Sequence, residues 1–223
     1  MFRQRSRDRD DSGFSLVELL VAMTIFSLLM VILTGLFITI MNQANDNLGR
    51  QRAVEQARLG LSQIDRQIRS GNLILDPGLD GESVSGVPVN YSLRIYTQAG
   101  GDDKCVQWRV IFPDAASNFG ALEFRSWRPA DIATVTPWSR VASNLVAPTA
   151  TPIDVNNSQS WPPFWLDPSL PTGSDAQNIR VTLRLSDPSA RSDAKPQVLT
   201  SVVTGRNTVF GYSALNCATA PPY

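Results

Sequence analysis

Residues 13–26 read GFSLVELLVAMTIF, an apolar stretch with one carboxylate, Glu18, set five residues in. Oil of the same kind continues from Phe14 to Met41 with no further charge. About 20 residues cross a bilayer core as a helix, so this segment is long enough to span one. An ionised carboxylate in hydrocarbon costs several kcal/mol, so Glu18 calls for a reason. The helical pattern outlasts the oil. Beyond Met41 the composition turns polar, yet Leu48, Val54, Ala57, Leu61, Ile64 and Ile68 keep to one helical face. No proline interrupts residues 14–75, and Gly71-Asn72 followed by Asp76-Pro77-Gly78 supplies the stop. The spacing predicts one helix from Phe14 to about Ser70, roughly 85 Å long at about 1.5 Å per residue. Its first half is apolar all round, and its second half has one stripe that must pack on something.

Short alternating runs downstream provide that something. YSLRIYTQ (91–98), CVQWRVIF (105–112), ALEFRSW (121–127), VASNLV (141–146), IRVTLRLS (179–186) and QVLTSVV (197–203) read as strands. In the fifth, Ile179, Val181, Leu183 and Leu185 oppose Arg180, Thr182 and Arg184, and SDPSARSDAKP (186–196) reads as a loose hairpin loop before the sixth. Antiparallel strands patterned this way leave one apolar face for the amphipathic half of the helix to cover. The expected fold class is α+β, a long N-terminal helix laid on an antiparallel sheet. Residues 147–177, rich in Pro, Ser and Asn, are expected to form an irregular loop. The expected organisation is a leader over 1–13, a transmembrane and assembly helix over 14–41, its amphipathic continuation over 42–75, and an extracytoplasmic β-rich domain over 76–223.

Composition narrows the function. The 223 residues carry 20 basic and 20 acidic side chains and no histidine. The balance gives no electrostatic case for nucleic acid. The missing histidine removes the commonest general base and metal ligand, and with it any Ser-His or Cys-His nucleophile pair. No G-x-S-x-G, P-loop or GxGxxG occurs, so no enzyme and no cofactor are expected. Arg3, Arg5, Arg7 and Arg9 precede the oil, which places the N-terminus on the cytoplasmic side by the positive-inside rule. An ordinary secretory h-region spans about 7–15 residues before a small-residue cleavage site. Here the oil is far longer and no such site ends it, so an uncleaved single-pass anchor is the plain reading.

Glu18 itself has three readings: snorkelling at the interface, membership of an ion path, or pairing with a charge inside the membrane. The ion path lacks a second intramembrane polar partner. A cut between Gly13 and Phe14 favours pairing, because it creates an α-ammonium on Phe14 four residues from Glu18. The two groups can meet on one helical face or between neighbouring helices, where pairing makes buried charges tolerable and fixes register. Glycine then has its own reason, since a protease accepts a residue with no side chain at the scissile carbonyl.

GFSLVELLVAM (13–23), with its short basic leader, its glutamate at the fifth residue after the glycine and its long apolar helix, resembles the cleavage and methylation signature of type IV pilins and of type II secretion pseudopilins. The resemblance rests on residues 1–41. It implies cleavage after Gly13 and N-methylation of Phe14 by a prepilin peptidase. It also implies assembly with other pilin or pseudopilin subunits from the cytoplasmic membrane into a filament, Glu18 meeting the Phe14 amine of a neighbour. Many major pilins carry a proline in the apolar half, where this chain has Gly35. The size of the downstream domain, LEFRSWRP (122–129) and VVTGRN (202–207) look more similar to W-type minor pilins and J-type pseudopilins. A non-assembling membrane-anchored binding module that keeps its leader is the alternative.

Outside this signature, Cys105 and Cys217 are expected to form a disulfide tying the tail to the sheet on the oxidising side of the membrane, two unpaired buried thiols being the alternative. Asp76, Asp80 and Glu82 are candidate hard-cation ligands that lack the D-x-D-x-D-G spacing. Solvated loop acids are the simpler reading. Trp108 and Trp127 fall on predicted strands and read as core, whereas Trp161 and Trp165, in the Pro-rich segment, form a candidate partner surface.

Overall fold

The computed structural model describes residues 13–113, 118–166, 178–188, 194–205, 212–213 and 215–222. Helix α1 runs from Leu16 to Ser70, 55 residues without a break. The chain divides into two units, one ending at Asn45 and the other starting at Asp46.

In the first unit every residue from 13 to 45 is exposed. This part makes α1 long and apolar enough to cross a membrane. Its few hydroxyls are satisfied within the helix: Thr24 and Ser27 donate to Val21 and Thr24 carbonyls at 2.8 Å, Thr34 to Met30 at 2.7 Å and Thr39 to Gly35 at 2.9 Å. In hydrocarbon, polar groups must be paired internally in this way.

In the second unit α1 ends at Ser70, whose carbonyl accepts the Thr97 hydroxyl at 2.9 Å. Gly71–Ile74 then form strand β1 at once, so the helix ends where its spacing and Gly71-Asn72 predicted, and the last residues of the 42–75 segment are extended. A Cβ on Gly71 would stand 2.6 Å from Ile95 Cγ2, so only glycine lets the chain leave the helix this close to the sheet. The remaining strands are β2 (Ser92–Thr97), β3 (Lys104–Ile111), β4 (Gly120–Trp127), β5 (Ser139–Leu145), β6 (Phe164–Leu166), β7 (Asn178–Leu185) and β8 (Gln197–Thr204). All pairings are antiparallel. β1 to β5 form a meander, β5 meets β7 at the single pair Leu145↔Leu185, and β6 and β8 lie against β7. The six expected strands are present; β1 and β6 are additions. β6 falls inside 147–177, where Pro162-Pro163 masks a three-residue strand. Residues 167–177 of that expected loop, and 189–193 of the β7–β8 loop, lie outside the described residues, as do residues 1–12.

The apolar face of the sheet holds Leu93, Ile95, Trp108, Val110, Leu122, Phe164 and the alternate residues Ile179, Val181, Leu183 and Leu185 of β7, clustered with Ile64 and Ile68 of α1. The stripe of α1 that meets them is Gly49, Ala53, Ala57, Gly60, Ile64 and Ile68. The expected stripe shared only its last three apolar members other than Leu61: Ala57, Ile64 and Ile68 are buried, Val54 and Leu61 are half-buried, and Leu48 is exposed. The reason is distance. A Cβ on Gly60 would stand 2.9 Å from Leu122 Cδ2, so the helix lies nearly against the sheet and large residues do not fit.

The opposite face of β2–β4 is polar yet buried. Asp80, on the loop after β1, accepts Arg94 Nε at 2.8 Å and pairs its second oxygen with Arg94 Nη2. Ser92 donates to Asp80, Gln107 to Ser92 at 3.0 Å, and Arg125 Nε to Gln107 at 2.9 Å. The Trp138 ring packs on the guanidinium groups of both Arg109 (3.8 Å) and Arg125 (4.4 Å), and Glu123 pairs with Arg109 at 2.9 Å. The tail crosses this face. Cys217 is disulfide-bonded to Cys105 with Cα atoms 5.6 Å apart, and the pair packs with Leu73, Tyr96 and Trp127.

Candidate functional site

The site the sequence points to is the start of α1. Gly13, Phe14 and Ser15 precede the helix, and Leu16 is its first residue. Ser15 leads into the helix: its Oγ accepts the Glu18 N–H at 3.2 Å, and its carbonyl accepts the Leu19 N–H at 3.1 Å. These are the contacts of a helix N-cap, and Ser15-x-x-Glu18 is the sequence pattern of a capping box. Glu18 therefore stands in the first turn, where the helix dipole favours negative charge. The pattern was legible in the sequence but was read only for its charge and its glycine.

The cap leaves the Gly13–Phe14 peptide two residues outside the helix. Phe14 is 84% exposed, and a Cβ on Gly13 would meet nothing within 4 Å. The peptide bond is thus exposed and outside the helix. A cut there would place the new ammonium on the residue before the cap. That ammonium opposes the dipole, and Glu18, four residues on, is the nearest carboxylate in sequence.

The other expected residues lie elsewhere. Asp76 accepts the Gly78 N–H at 2.7 Å and starts a turn of 3-10 helix, Asp80 is spent on Arg94 and Ser92, and Glu82 opens the short helix α2 (Glu82–Ser85). Both Asp80 oxygens are taken by protein donors, so these three acids do not form an open oxygen cage. Among the described residues no group of three His, Cys, Asp or Glu is gathered as a metal site. Trp161 and Trp165 are half-buried. The Trp161 ring lies 3.9 Å beneath the Arg180 guanidinium, its Nε1 donates to the Asp154 carbonyl at 3.0 Å, and its carbonyl accepts Arg184 Nη1 at 2.7 Å. Trp165 faces Arg180 across the β6–β7 pairing. Trp108 and Trp127 are buried, as their strand positions implied.

Residues 8–34 match the family model of the prokaryotic N-terminal methylation motif. The match spans the leader end, the Gly13–Phe14 peptide, Glu18 and most of the apolar helix. The chain therefore carries a type IV pilin-like signature, a mark of structural subunits that a prepilin peptidase processes and that assemble with other pilin subunits from a membrane. No curated protein and no solved structure matches the chain.

Proposed function

We propose that the protein is a minor pilin or pseudopilin. It enters the cytoplasmic membrane as a single-pass chain with its β-rich domain on the far side. A prepilin peptidase cuts after Gly13 and N-methylates Phe14, and the subunit then joins a type IV pilus or type II secretion-like filament through α1. Glu18 of one subunit meets the Phe14 amine of its neighbour. The eight strands among the described residues support the minor branch, of W-type pilins or J-type pseudopilins, over a small major subunit.

One observation carries this reading. The methylation motif coincides with a helix whose cap stands between the cut and the carboxylate, so that Gly13–Phe14 is open while Glu18 is already helical. Intact-mass measurement of the membrane-extracted protein tests it. A mass beginning at methylated Phe14 supports processing; a mass beginning at Met1 refutes it and indicates a plain anchored module. Glu18→Ala should insert and be cut normally yet fail to enter filaments, and Gly13→Val should block the cut.

A further inference from the structure

The segment 215–222 has no strand pairing, yet it lies on the sheet like a strap. Cys217 and Pro221 are its buried residues; Leu215, Ala218, Thr219 and Pro222 are exposed. Apolar burial therefore holds little of it. Its backbone carbonyls are the grip: Arg94 Nη1 donates to Cys217 and Ala218 at 2.6 Å each, and Arg125 donates to Pro222 at 2.7 Å and Pro221 at 2.8 Å. Arg94 and Arg125 are 5% and 2% exposed under it. The two arginines differ in what they keep without the strap. Among the described residues, Arg94 retains the Asp80 carboxylate, whereas Arg125 retains the Gln107 amide oxygen and the Trp127 and Trp138 rings and shares the latter with Arg109. Burial and the neighbouring Arg109 charge lower the Arg125 pKa to about 10, so it stays cationic at neutral pH. A buried cation without a carboxylate depends on its neutral acceptors.

We infer that residues 215–222 form a redox-gated strap: the Cys105–Cys217 bond seats four carbonyls on Arg94 and Arg125, and reduction by a dithiol, which leaves as its own disulfide, releases them without unfolding the sheet. The sheet is held by pairings that the disulfide does not cross, including all eight pairs of β7 with β8. The step balances as thiol–disulfide exchange. A thiolate of Cys105 or Cys217 attacks the disulfide of an oxidant of that class, a thiol–disulfide oxidoreductase or oxidised glutathione. The second thiolate then resolves the mixed disulfide, and the oxidant leaves as a dithiol or two thiols, having taken two electrons. In β3, Cys105 lies opposite Tyr96 and Trp127, so the bond anchors the tail at the centre of three paired strands. The gate acts within the domain, independently of whether the subunit enters a filament.

Hydrogen–deuterium exchange on the full-length protein in detergent, oxidised against dithiothreitol-reduced, tests this. The strap amides of Asn216 and Ala218 bond only locally, to Ser213 and Leu215 carbonyls, so they report its order. We expect reduction to speed their exchange at least tenfold while β8 amides change less than threefold. Equal strap exchange in both forms overturns the gate. Acceleration of β8 by the same factor overturns it too, since the bond would then staple the whole domain. The paired variant Cys105→Ser/Cys217→Ser should reproduce the reduced pattern. Arg125→Gln, with the disulfide intact, should also speed exchange at the Thr219 and Ala220 amides, the prolines at 221 and 222 carrying none; unchanged exchange there removes the arginine from the mechanism.

Discussion

The closest approach of helix to sheet gives the sharpest stability test. Gly60 is buried on α1, and a Cβ there would stand 2.9 Å from Leu122 Cδ2 and 3.4 Å from Leu183 Cδ1, both on fully buried side chains. Alanine at 60 regains about 1 kcal/mol of helix propensity. It must push a leucine methyl by a few tenths of an ångström in a packed core, at a comparable cost. Gly60→Ala should therefore lie within about 1 kcal/mol of the parent. Gly60→Leu adds three more carbons where Leu122 and Leu183 already fill the space. Overpacking costs about 1–3 kcal/mol, which for a domain of this size lowers Tm by roughly 2–12 °C at about 2–4 °C per kcal/mol. Ser62→Leu, at an exposed position of the same helix, is the control and should stay within about 0.5 kcal/mol. The assay is thermal unfolding of the detergent-solubilised chain by near-UV circular dichroism, which reads the tryptophans rather than the membrane helix. Gly60→Leu melting with Ser62→Leu would mean that α1 does not rest this close to the sheet.

Two further outcomes follow from the buried polar groups. Asp80→Ala leaves Arg94 cationic and without its carboxylate, at a cost of about 3–5 kcal/mol, and adding Arg94→Met should recover part of that loss; additive losses in denaturant titrations would show that the two side chains act separately. Burial raises the Tyr91 pKa against an opposing effect of Arg184, and burial together with the Asp103 hydrogen bond raises that of Tyr96. Folded values above the unfolded ones mean that the stability these phenols contribute is present below about pH 10 and is lost as pH rises beyond it. Phenolate absorbance of the folded chain should trail that of the urea-unfolded chain on the alkaline side, and coincident curves would contradict the burial of both hydroxyls.

The sheet was readable because its strands alternate. β7 announced its inward residues one by one, and each of the four is buried. The helix was readable in length, since Gly71 is where it stops, but its buried face was misjudged. Hydrophobic periodicity assumes that the largest apolar side chains face inward. On α1 the sheet comes so near that Gly49, Ala53 and Gly60 are the ones that fit, and Leu48 and Leu59 are left outside. The polar cluster of Arg94, Gln107 and Arg125 was invisible for a related reason. Alternation marks those positions as solvent-facing, and it takes distant segments, the Asp80 loop, Trp138 and the tail brought over by Cys217, to cover them.

Glu18 was read from its charge, and its local geometry now supplies part of the explanation. The Ser15 cap contributes about 0.5–2 kcal/mol to the helix start, and a carboxylate in the first turn about 0.3–1 kcal/mol. Placing a carboxylate at the centre of a bilayer costs about 2.5–3.5 kcal/mol on insertion scales. The local terms thus offset Glu18 near the membrane surface, where its side chain also reaches water, but fall short at depth. In the uncut chain, with a neutral amide linking Gly13 to Phe14, the carboxylate already has a use: it answers the positive end of the helix. After a cut the same turn gains an ammonium that the dipole disfavours, and the single carboxylate must serve both. On the proposed function, a subunit drawn deeper among apolar helices would lose water as a partner, and the cation at the end of a neighbouring chain would then be a counter-charge of matching position. The carboxylate that steadies the helix in one chain would for that reason be suited to set the register of two.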